Sequence, residues 1–328
     1  TLSGSGYTFT PNSTAINALS GNTSQSFTVR VTDGTGNTVD QQLTFNITGV
    51  NDLPTVTVDN SSRVTLIEAG GVANTTSGVS SSSVTLTITD AESSGSFDAT
   101  WLLQNGWSTA DTGATYTKVG TYGTATLTAS TGVVSYALGD SSATTQALAS
   151  GVSRSDSFTV QATDTAVTQQ VAVTFNITGA NDAPVVTGTR SAVMPHGGAH
   201  ILTASELYFS DPDNTASQET FTVSSETNGA VFVNGVAAST FTAADVDAGH
   251  VVFVHVGNAT TASFNVSLSD SALTASVGRT MSFTVQDVAV ELTAASDSNV
   301  AGDMVTNDNT PTLAVTVPGG ASIGSVVK

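Results

Sequence analysis

The stretch FNITGVNDLP at residues 45–54 recurs as FNITGANDAP at residues 175–184, which lies 130 residues further along the chain (175 − 45). The similarity extends upstream, because SFTV at residues 26–29 aligns with SFTV at residues 157–160, and Asp33 aligns with Asp164. Repetition at a spacing of domain length is typical of a tandem array. The sequence therefore predicts several similar domains joined by Asn-Asp-x-Pro linkers, and not one enzyme fold.

Apolar and polar residues alternate along the segments next to the repeated stretch. In residues 27–32 and 43–48, every second side chain is Phe, Val, Leu or Ile, and most of the others are Thr. This period of two is the pattern of half-buried strands, and Thr suits the solvated face because it is β-branched. Many short strands with frequent turn signals favour a sandwich over a helical fold. We therefore predict an all-β chain of tandem β-sandwich domains in an extended array.

The pattern divides the chain into four parts. Residues 1–52 are predicted to be the last strands of one sandwich, and residues 53–183 to be a complete repeat of it. Residues 184–287 form a different sandwich, and residues 288–328 begin a third type of domain. Both ends are therefore expected to cut through larger repeats.

Three local signals place turns and caps. Residues 33–37 (DGTGN) predict a connection of hairpin type, and Asn234-Gly235 predicts a two-residue hairpin. Thr242 is predicted to cap a short helical turn.

The composition excludes several classes of function. Of 328 residues, 7 are Lys or Arg and 26 are Asp or Glu, so the net charge is −19. Such a chain repels nucleic acid and anionic membranes and attracts cations. It has no Cys, which excludes disulfides and thiolate metal sites. No apolar run reaches the length of a membrane-spanning helix, so we expect no membrane insertion in this segment.

Several motifs carry a resemblance to known repeat families. Residues 115–125 (TYTKVGTYGTA), residues 148–151 (LASG) and the closing FNITG-x-ND-x-P resemble the VCBS repeat. Residues 196–270, with FSDPD at 209–213, look like the cadherin-like repeat of the chondroitin-sulfate-proteoglycan type. Residues 292–313, which include TNDNTP, resemble the start of a bacterial Ig-like repeat.

Together these repeats are similar to the extender or ligand-proximal region of giant bacterial adhesins of the repeats-in-toxin class. The resemblance implies Ig-like and cadherin-like sandwiches, type I secretion and an extracellular position at the bacterial cell surface. It also implies a Ca²⁺-rich spacer that holds a distal adhesive end away from the cell in adhesion and biofilm formation. The implied partners are neighbouring repeats of the same chain and a host or bacterial surface ligand. Residues 285–288 (VQDV) lack the Asn-Asp-x-Pro element, so the third joint is expected to be built differently.

Carboxylates recur close to the predicted domain joints. Ca²⁺ takes six to eight oxygen ligands, which a domain joint can gather from a linker and two loops. The residues predicted to bind Ca²⁺ are Asn51, Asp52, Glu68, Asp90 and Glu92 at the first joint; Asn181, Asp182, Asp211, Asp213 and Asp270 at the second; and Asp287, Asp297, Asp303 and Asp308 at the third. The alternative is that these aspartates only cap turns through Asx hydrogen bonds.

Two other classes of function remain open beside the spacer. A ligand-binding module would hold a glycan or a peptide at a sandwich tip or on the segment that contains Trp101 and Trp107, although both tryptophans also suit a core. Adhesion by strand exchange between copies is the third class, because incomplete terminal domains expose strand edges.

Catalysis and a zinc site are disfavoured. The paired carboxylates cluster at linkers rather than in a segment that would form a cleft. His196 and His200 have helical spacing, but Pro195, Gly197 and Gly198 break a helix there. We therefore predict that the protein is not an enzyme.

Overall fold

A computed structural model describes residues 2–3, 6–69, 77–270, 272–275, 278–293, 296, 306 and 310–316. Their regular secondary structure is almost all β-strand, with four helices of at most six residues. The all-β prediction is therefore confirmed. No helix in the described part of the chain is both long enough and apolar enough to cross a membrane.

The chain divides into two compact units. Unit 1 comprises residues 1–67, 79–140 and 153–178, and unit 2 comprises residues 68–78, 141–152 and 179–328. The elements of unit 1 are β1 (Leu2–Ser3), β2 (Gly6–Tyr7), α1 (Ser13–Asn17), β3 (Thr23–Thr32), β4 (Thr38–Ile47), β5 (Thr55–Asp59), β6 (Leu66–Ile67), β7 (Ser81–Thr89), β8 (Ser96–Phe97), α2 (Ala99–Gln104), β9 (Thr115–Val119), β10 (Gly123–Thr128), β11 (Val133–Leu138), β12 (Ser153–Thr163) and β13 (Thr168–Thr178).

The elements of unit 2 are also mostly short strands. They are α3 (Ala143–Gln146), β14 (Val185–Thr187), β15 (Ser191–Pro195), β16 (Ala199–Ile201), β17 (Tyr208–Ser210), β18 (Thr220–Thr227), β19 (Gly229–Val233), β20 (Val236–Ala237), β21 (Thr240–Thr242), α4 (Ala243–Asp247), β22 (Val251–His255), β23 (Thr261–Ser269), β24 (Arg279–Gln286), β25 (Ala289–Leu292) and β26 (Leu313–Thr316).

Strands β3 and β4 form the hairpin that the first copy of the repeat predicts. They pair antiparallel from Thr23↔Ile47 to Thr32↔Thr38. The Asp33 side chain accepts the backbone N–H of Thr35 and of Asn37, both at 2.9 Å, and so closes the connecting turn. The predicted hairpin-type connection at residues 33–37 is confirmed.

A β-sandwich follows in unit 1. One sheet has the order β5-β7-β11-β10-β9 and the other the order β6-β13-β12-β8. The ring of Tyr136 on the first sheet lies 4.9 Å from that of Phe175 and 5.8 Å from that of Phe158 on the second. Trp107 is 2% exposed, and its indole N–H donates to the carbonyl of Thr159 at 3.1 Å. Trp107 is therefore a core residue, as one of the two sequence interpretations predicted.

Unit 2 contains a second sandwich with a different strand order. Its sheets run β15-β24-β23-β18-β21 and β16-β22-β19-β20, and Phe253 of the second sheet stacks at 4.4 Å on Phe283 of the first. Asn234 and Gly235 connect β19 to β20 with φ values of 50° and 79°, which is the backbone that a type I′ turn requires. Thr242 caps α4 in a capping box with Asp245. Both local predictions are confirmed.

Candidate calcium-binding clusters

Five side chains lie together where the first Asn-Asp linker follows β4. We call Asn51, Asp52, Asp90, Glu92 and Asp164 the first cluster. The Asn51 amide donates to Asp164 Oδ2 at 2.5 Å and to the Asp52 carbonyl at 3.0 Å. The backbone N–H of Asp52 donates to Glu92 Oε2 at 3.3 Å. The linker is thus tied to the loop after β7 and to the loop after β12.

Each loop aspartate of this cluster uses one carboxylate oxygen to shape its own turn. Asp90 Oδ1 accepts the backbone N–H of Glu92 and of Ser93 at 3.1 and 2.8 Å. Asp164 Oδ1 accepts two backbone N–H groups at 2.8 Å in the same way. One oxygen of each residue thus makes the Asx hydrogen bonds that the turn-capping alternative describes. Asp90 Oδ2 and Glu92 Oε1 are buried and accept no hydrogen bond from any described residue.

The second Asn-Asp linker repeats this hydrogen-bond pattern on different strands. We call Asn181, Asp182, Asp211, Asp213, Glu219 and Asp270 the second cluster. The Asn181 amide donates to Asp270 Oδ2 at 2.5 Å and to the Asp182 carbonyl at 2.7 Å. All six residues belong to unit 2.

The two loops of the second cluster have the same turns as their counterparts in the first. Asp211 Oδ1 accepts the backbone N–H of Asp213 and of Asn214 at 3.0 and 2.9 Å. Asp270 Oδ1 accepts those of Ala272 and Leu273 at 2.7 and 2.6 Å. The two types of sandwich therefore present the same combination of one linker and two Asx turns.

Burial is greater in the second cluster than in the first. Asp182 and Glu219 are fully buried and Asp270 is 3% exposed, whereas all five residues of the first cluster are half-buried. Desolvation, followed by repulsion from Asp211 and Asp182, raises the pKa of Asp213 to about 7. Desolvation and the charges of Asp211, Asp270 and Asp213 raise the pKa of Glu219 to about 8. In the first cluster, burial and the charges of Asp52 and Asp90 raise the pKa of Glu92.

Unsatisfied oxygens make the second cluster a good match for a hard cation. Both carboxylate oxygens of Asp213 and of Glu219, Oδ2 of Asp211 and Oδ1 of Asn214 are buried without a hydrogen-bond partner among the described residues. Burying such groups is unfavourable unless a proton or a cation compensates them. Carboxylate and amide oxygens are the ligands that Ca²⁺ prefers. No group of three or more His, Asp or Glu side chains in the described ranges is already arranged around a metal position, so the fit rests on the donor set.

Comparison with known proteins finds one family model that matches the sandwich of unit 2. Residues 184–290 match the family model of cadherin-like domains. The cadherin-like domain thus contains Asp211, Asp213, Glu219 and Asp270, and the Asn181-Asp182 linker lies directly before it. The search for sequence relatives among curated proteins found no match.

Solved structures similar to the chain include several cadherins. Extracellular cadherin domains 1–5 of protocadherin gamma B2 are 14% identical, with 80% of this chain and 46% of that chain covered and a TM-score of 0.42. Drosophila N-cadherin EC1–4 is 14% identical, with coverages of 82% and 61% and a TM-score of 0.23. An endo-fucoidan hydrolase of glycoside hydrolase family 107 is 13% identical, with coverages of 81% and 34% and a TM-score of 0.22. This chain spans less than two thirds of the length of each.

The predicted ligand Glu68 lies at a different linker from the one the sequence suggested. The sequence predicts that it lies with Asn51 and Asp52, but its Oε2 accepts the backbone N–H of Ala180 at 3.2 Å, next to the second linker. Its Oε1 accepts the side-chain amide of Gln146 at 2.7 Å. Glu68 therefore belongs beside the second cluster, because β6 runs parallel to β13 and ends where that linker begins.

The predicted third joint is described only in part. The Asp287 carboxylate lies 2.6 Å from His196 Nδ1, and Asp287 is the one predicted ligand of that joint within the described residues. Asp297, Asp303 and Asp308 lie outside them.

Sequence reasoning missed Asp164 and Glu219. Asp164 could have been found, because Asp164-Thr-Ala-Val and Asp270-Ser-Ala-Leu share a pattern after the long strands β12 and β23. No local pattern marks Glu219, which reaches the cluster only through the pairing of β18 with β23.

Proposed function

We propose that this protein is a Ca²⁺-stiffened spacer from a bacterial surface adhesin, exposed outside the cell and acting in adhesion and biofilm formation. The cadherin-like match at residues 184–290 and the tandem sandwiches support an adhesion-type repeat. A spacer needs no catalytic group, and we propose no enzymatic activity.

The observation that carries the proposal is the set of buried, unsatisfied oxygens at Asp211, Asp213 and Glu219. These carboxyl groups belong to the same cluster as the Asn181-Asp182 linker, where Asn181 donates a hydrogen bond to Asp270. Without a compensating cation, like charges at this range repel one another. A bound divalent cation would remove this repulsion, and the cluster is therefore the expected cation site.

The residues that would hold Ca²⁺ are those of the two clusters. In the first, these are the carboxylates of Asp52, Asp90, Glu92 and Asp164; in the second, the carboxylates of Asp182, Asp211, Asp213, Glu219 and Asp270 and the amide oxygen of Asn214. Bound Ca²⁺ would neutralise the carboxylates. The protein's own contribution is to fix the linker through Asn51 and Asn181 and to orient the loops through their Asx turns.

The ligand-binding alternative is not favoured by the aromatic residues. Trp107 is buried and cannot stack on a glycan. An open apolar depression of unit 1 is lined by Phe27 and Phe45, together with Tyr7 and Phe9. The counterparts of Phe27 and Phe45 in the complete repeat are Phe158 and Phe175, which are core residues. The depression is therefore the core face of the repeat rather than a binding platform.

The proposal is tested with a double variant, Asp211→Asn with Asp213→Asn. Asparagine keeps an oxygen for the Asx turn but removes both charges. The loss of Ca²⁺ held at about 100 times its dissociation constant removes roughly 2.7 kcal/mol of stability. We expect the variant to melt below the wild type in millimolar Ca²⁺ and at or above it in chelator, as measured by calorimetry.

The matched control is Asp59→Asn with Asp111→Asn, which removes two charges from exposed turns outside both clusters. It should show the same Ca²⁺-dependent gain as the wild type. A wild type whose melting curve and calorimetric titration do not respond to Ca²⁺ would refute the proposal.

A further inference from the structure

The two clusters occupy the same place in their sandwiches, so their residues can be compared one by one. In unit 1, Thr163 of β12 pairs with Ser96 of β8, and the next residue along β12 is Asp164. In unit 2, Ser269 of β23 pairs with Thr220 of β18, and the next residue along β23 is Asp270. In the first cluster, the residue opposite Asp164 on the neighbouring strand is therefore Gly95.

In the second cluster, the residue opposite Asp270 is Glu219. The first cluster has no side chain at this position, and Gly95 has φ +57°, with Ile88 Cγ2 only 2.5 Å from where a Cβ would lie. A larger residue would be strained there. The second cluster therefore has a fifth carboxylate. The first cluster lacks it, and a side chain at Gly95 would be strained.

The burial of the Glu219 carboxylate is unfavourable unless a proton or a cation compensates its charge. The residue is fully buried, and neither carboxylate oxygen accepts a hydrogen bond from a described residue. Its electrostatic neighbours are Asp211, Asp213 and Asp270, which all carry the same charge. A packing role would be served better by glutamine or leucine, because an isolated buried carboxylate is costly.

We propose that Glu219 is an additional Ca²⁺ ligand and that it makes the second cluster bind Ca²⁺ more tightly than the first. The inference rests on the proposed function and assigns an order of affinity to its two sites. Ligand charge and rigidity set the affinity of oxygen-ligand Ca²⁺ sites over several orders of magnitude. The second cluster has both advantages, since it holds one more carboxylate and three of its carboxylate residues, Asp182, Glu219 and Asp270, are buried. The cadherin-like domain would therefore fill first as Ca²⁺ rises.

The test is a calorimetric Ca²⁺ titration of the full chain after removal of metal, for the wild type and three variants. Glu219→Gln keeps the shape of the side chain and removes its charge. It should weaken the tightest class of sites about tenfold or more and leave the weaker sites unchanged. Asp164→Asn, in the first cluster, should weaken only a weaker class. Asp59→Asn, at an exposed turn, should change neither.

Folding is checked by the melting temperature in chelator. Glu219→Gln should be at least as stable as the wild type there, because it removes a buried group whose charged form is disfavoured, and should gain less from Ca²⁺. If Asp164→Asn abolishes the tightest class, or if Glu219→Gln leaves it unchanged, this inference is overturned while Ca²⁺ binding stands. If the wild type releases no heat with Ca²⁺, the proposed function itself fails.

Discussion

At the scale of single residues, one substitution changes the chemistry at the end of a sandwich. The residue that follows β6 is Glu68, and the residue that follows the equivalent parallel strand β15 is His196. Glu68 accepts the backbone N–H of Ala180, which precedes the Asn-Asp linker, whereas His196 hydrogen-bonds to the carboxylate of Asp287. A histidine replaces a carboxylate where the Asn-Asp-x-Pro element is also missing. This difference lies at the joint for which the sequence predicts a different construction.

The pKa of His196 is expected to depend on Asp287. Its hydrogen bond to Asp287 is the main cause that raises the pKa of His196 above the ordinary 6.5. The stabilising effect of this pair is thus present below pH 6.5 and is lost as the pH rises through the raised pKa. It should be small, because the Asp287 side chain is 87% exposed. In an NMR titration of the ring protons, Asp287→Asn should lower the pKa of His196, and Asp59→Asn should not.

Repeating the NMR titration of His196 in the presence of Ca²⁺ tests whether Asp287 binds the metal, as the sequence predicts. A cation on this carboxylate would lower the pKa of His196, since like charges repel. An unchanged pKa in Asp287→Asn would contradict the assignment of the pair.

At the scale of elements, steric contact explains why the repeated motif has a glycine at its fifth position. In the complete repeat, a Cβ at Gly179 would collide with the backbone carbonyl of Leu148, which follows α3. In the first copy, a Cβ at Gly49 would collide with the carbonyl of Leu19, which follows α1. The backbone at the motif glycine can lie this close to that carbonyl only because the residue has no side chain. The motif thus encodes a close contact between backbone segments.

We expect Gly179→Ala to destabilise the protein by about 1–3 kcal/mol, because backbone atoms must move to accept the added methyl group. The matched control is Gly34→Ala, where a Cβ meets no atom within 4 Å. The control should change the free energy of unfolding by no more than about 0.5 kcal/mol. Denaturant unfolding followed by circular dichroism measures both. Equal stability of the two variants would show that the backbone around Leu148 moves more easily than the contact indicates.

At the scale of the whole molecule, charge is the dominant property. The net charge of −19 makes the chain dependent on counterions, and the two clusters concentrate part of that charge beside the linkers. Self-repulsion of this kind expands a chain where it is least held by packing. A spacer whose joints respond to Ca²⁺ would therefore be stiff where the ion is abundant and more mobile where it is scarce.

Small-angle X-ray scattering measures this response. If Ca²⁺ stiffens the linkers, the distribution of interatomic distances should be narrower in millimolar Ca²⁺ than in chelator, while the circular dichroism of the strands changes little. Millimolar Mg²⁺ serves as the control, because it prefers smaller octahedral sites and keeps its water. Identical profiles in Ca²⁺ and chelator would reject the stiffening mechanism, even if Ca²⁺ binds.

The sequence by itself determined the repeat, the all-β fold, the hairpin at Asn234-Gly235 and most members of the two clusters. These features depend on local signals, since alternation, turn residues and the Asn-Asp linker act over a few positions. Only the tertiary structure decided that Asp164 joins Asn51 from 113 residues away and that Glu68 lies at the second linker. It also decided that Glu219 faces Asp270. The physical reason is strand pairing: register between distant strands sets which side chains meet, and no single segment encodes it.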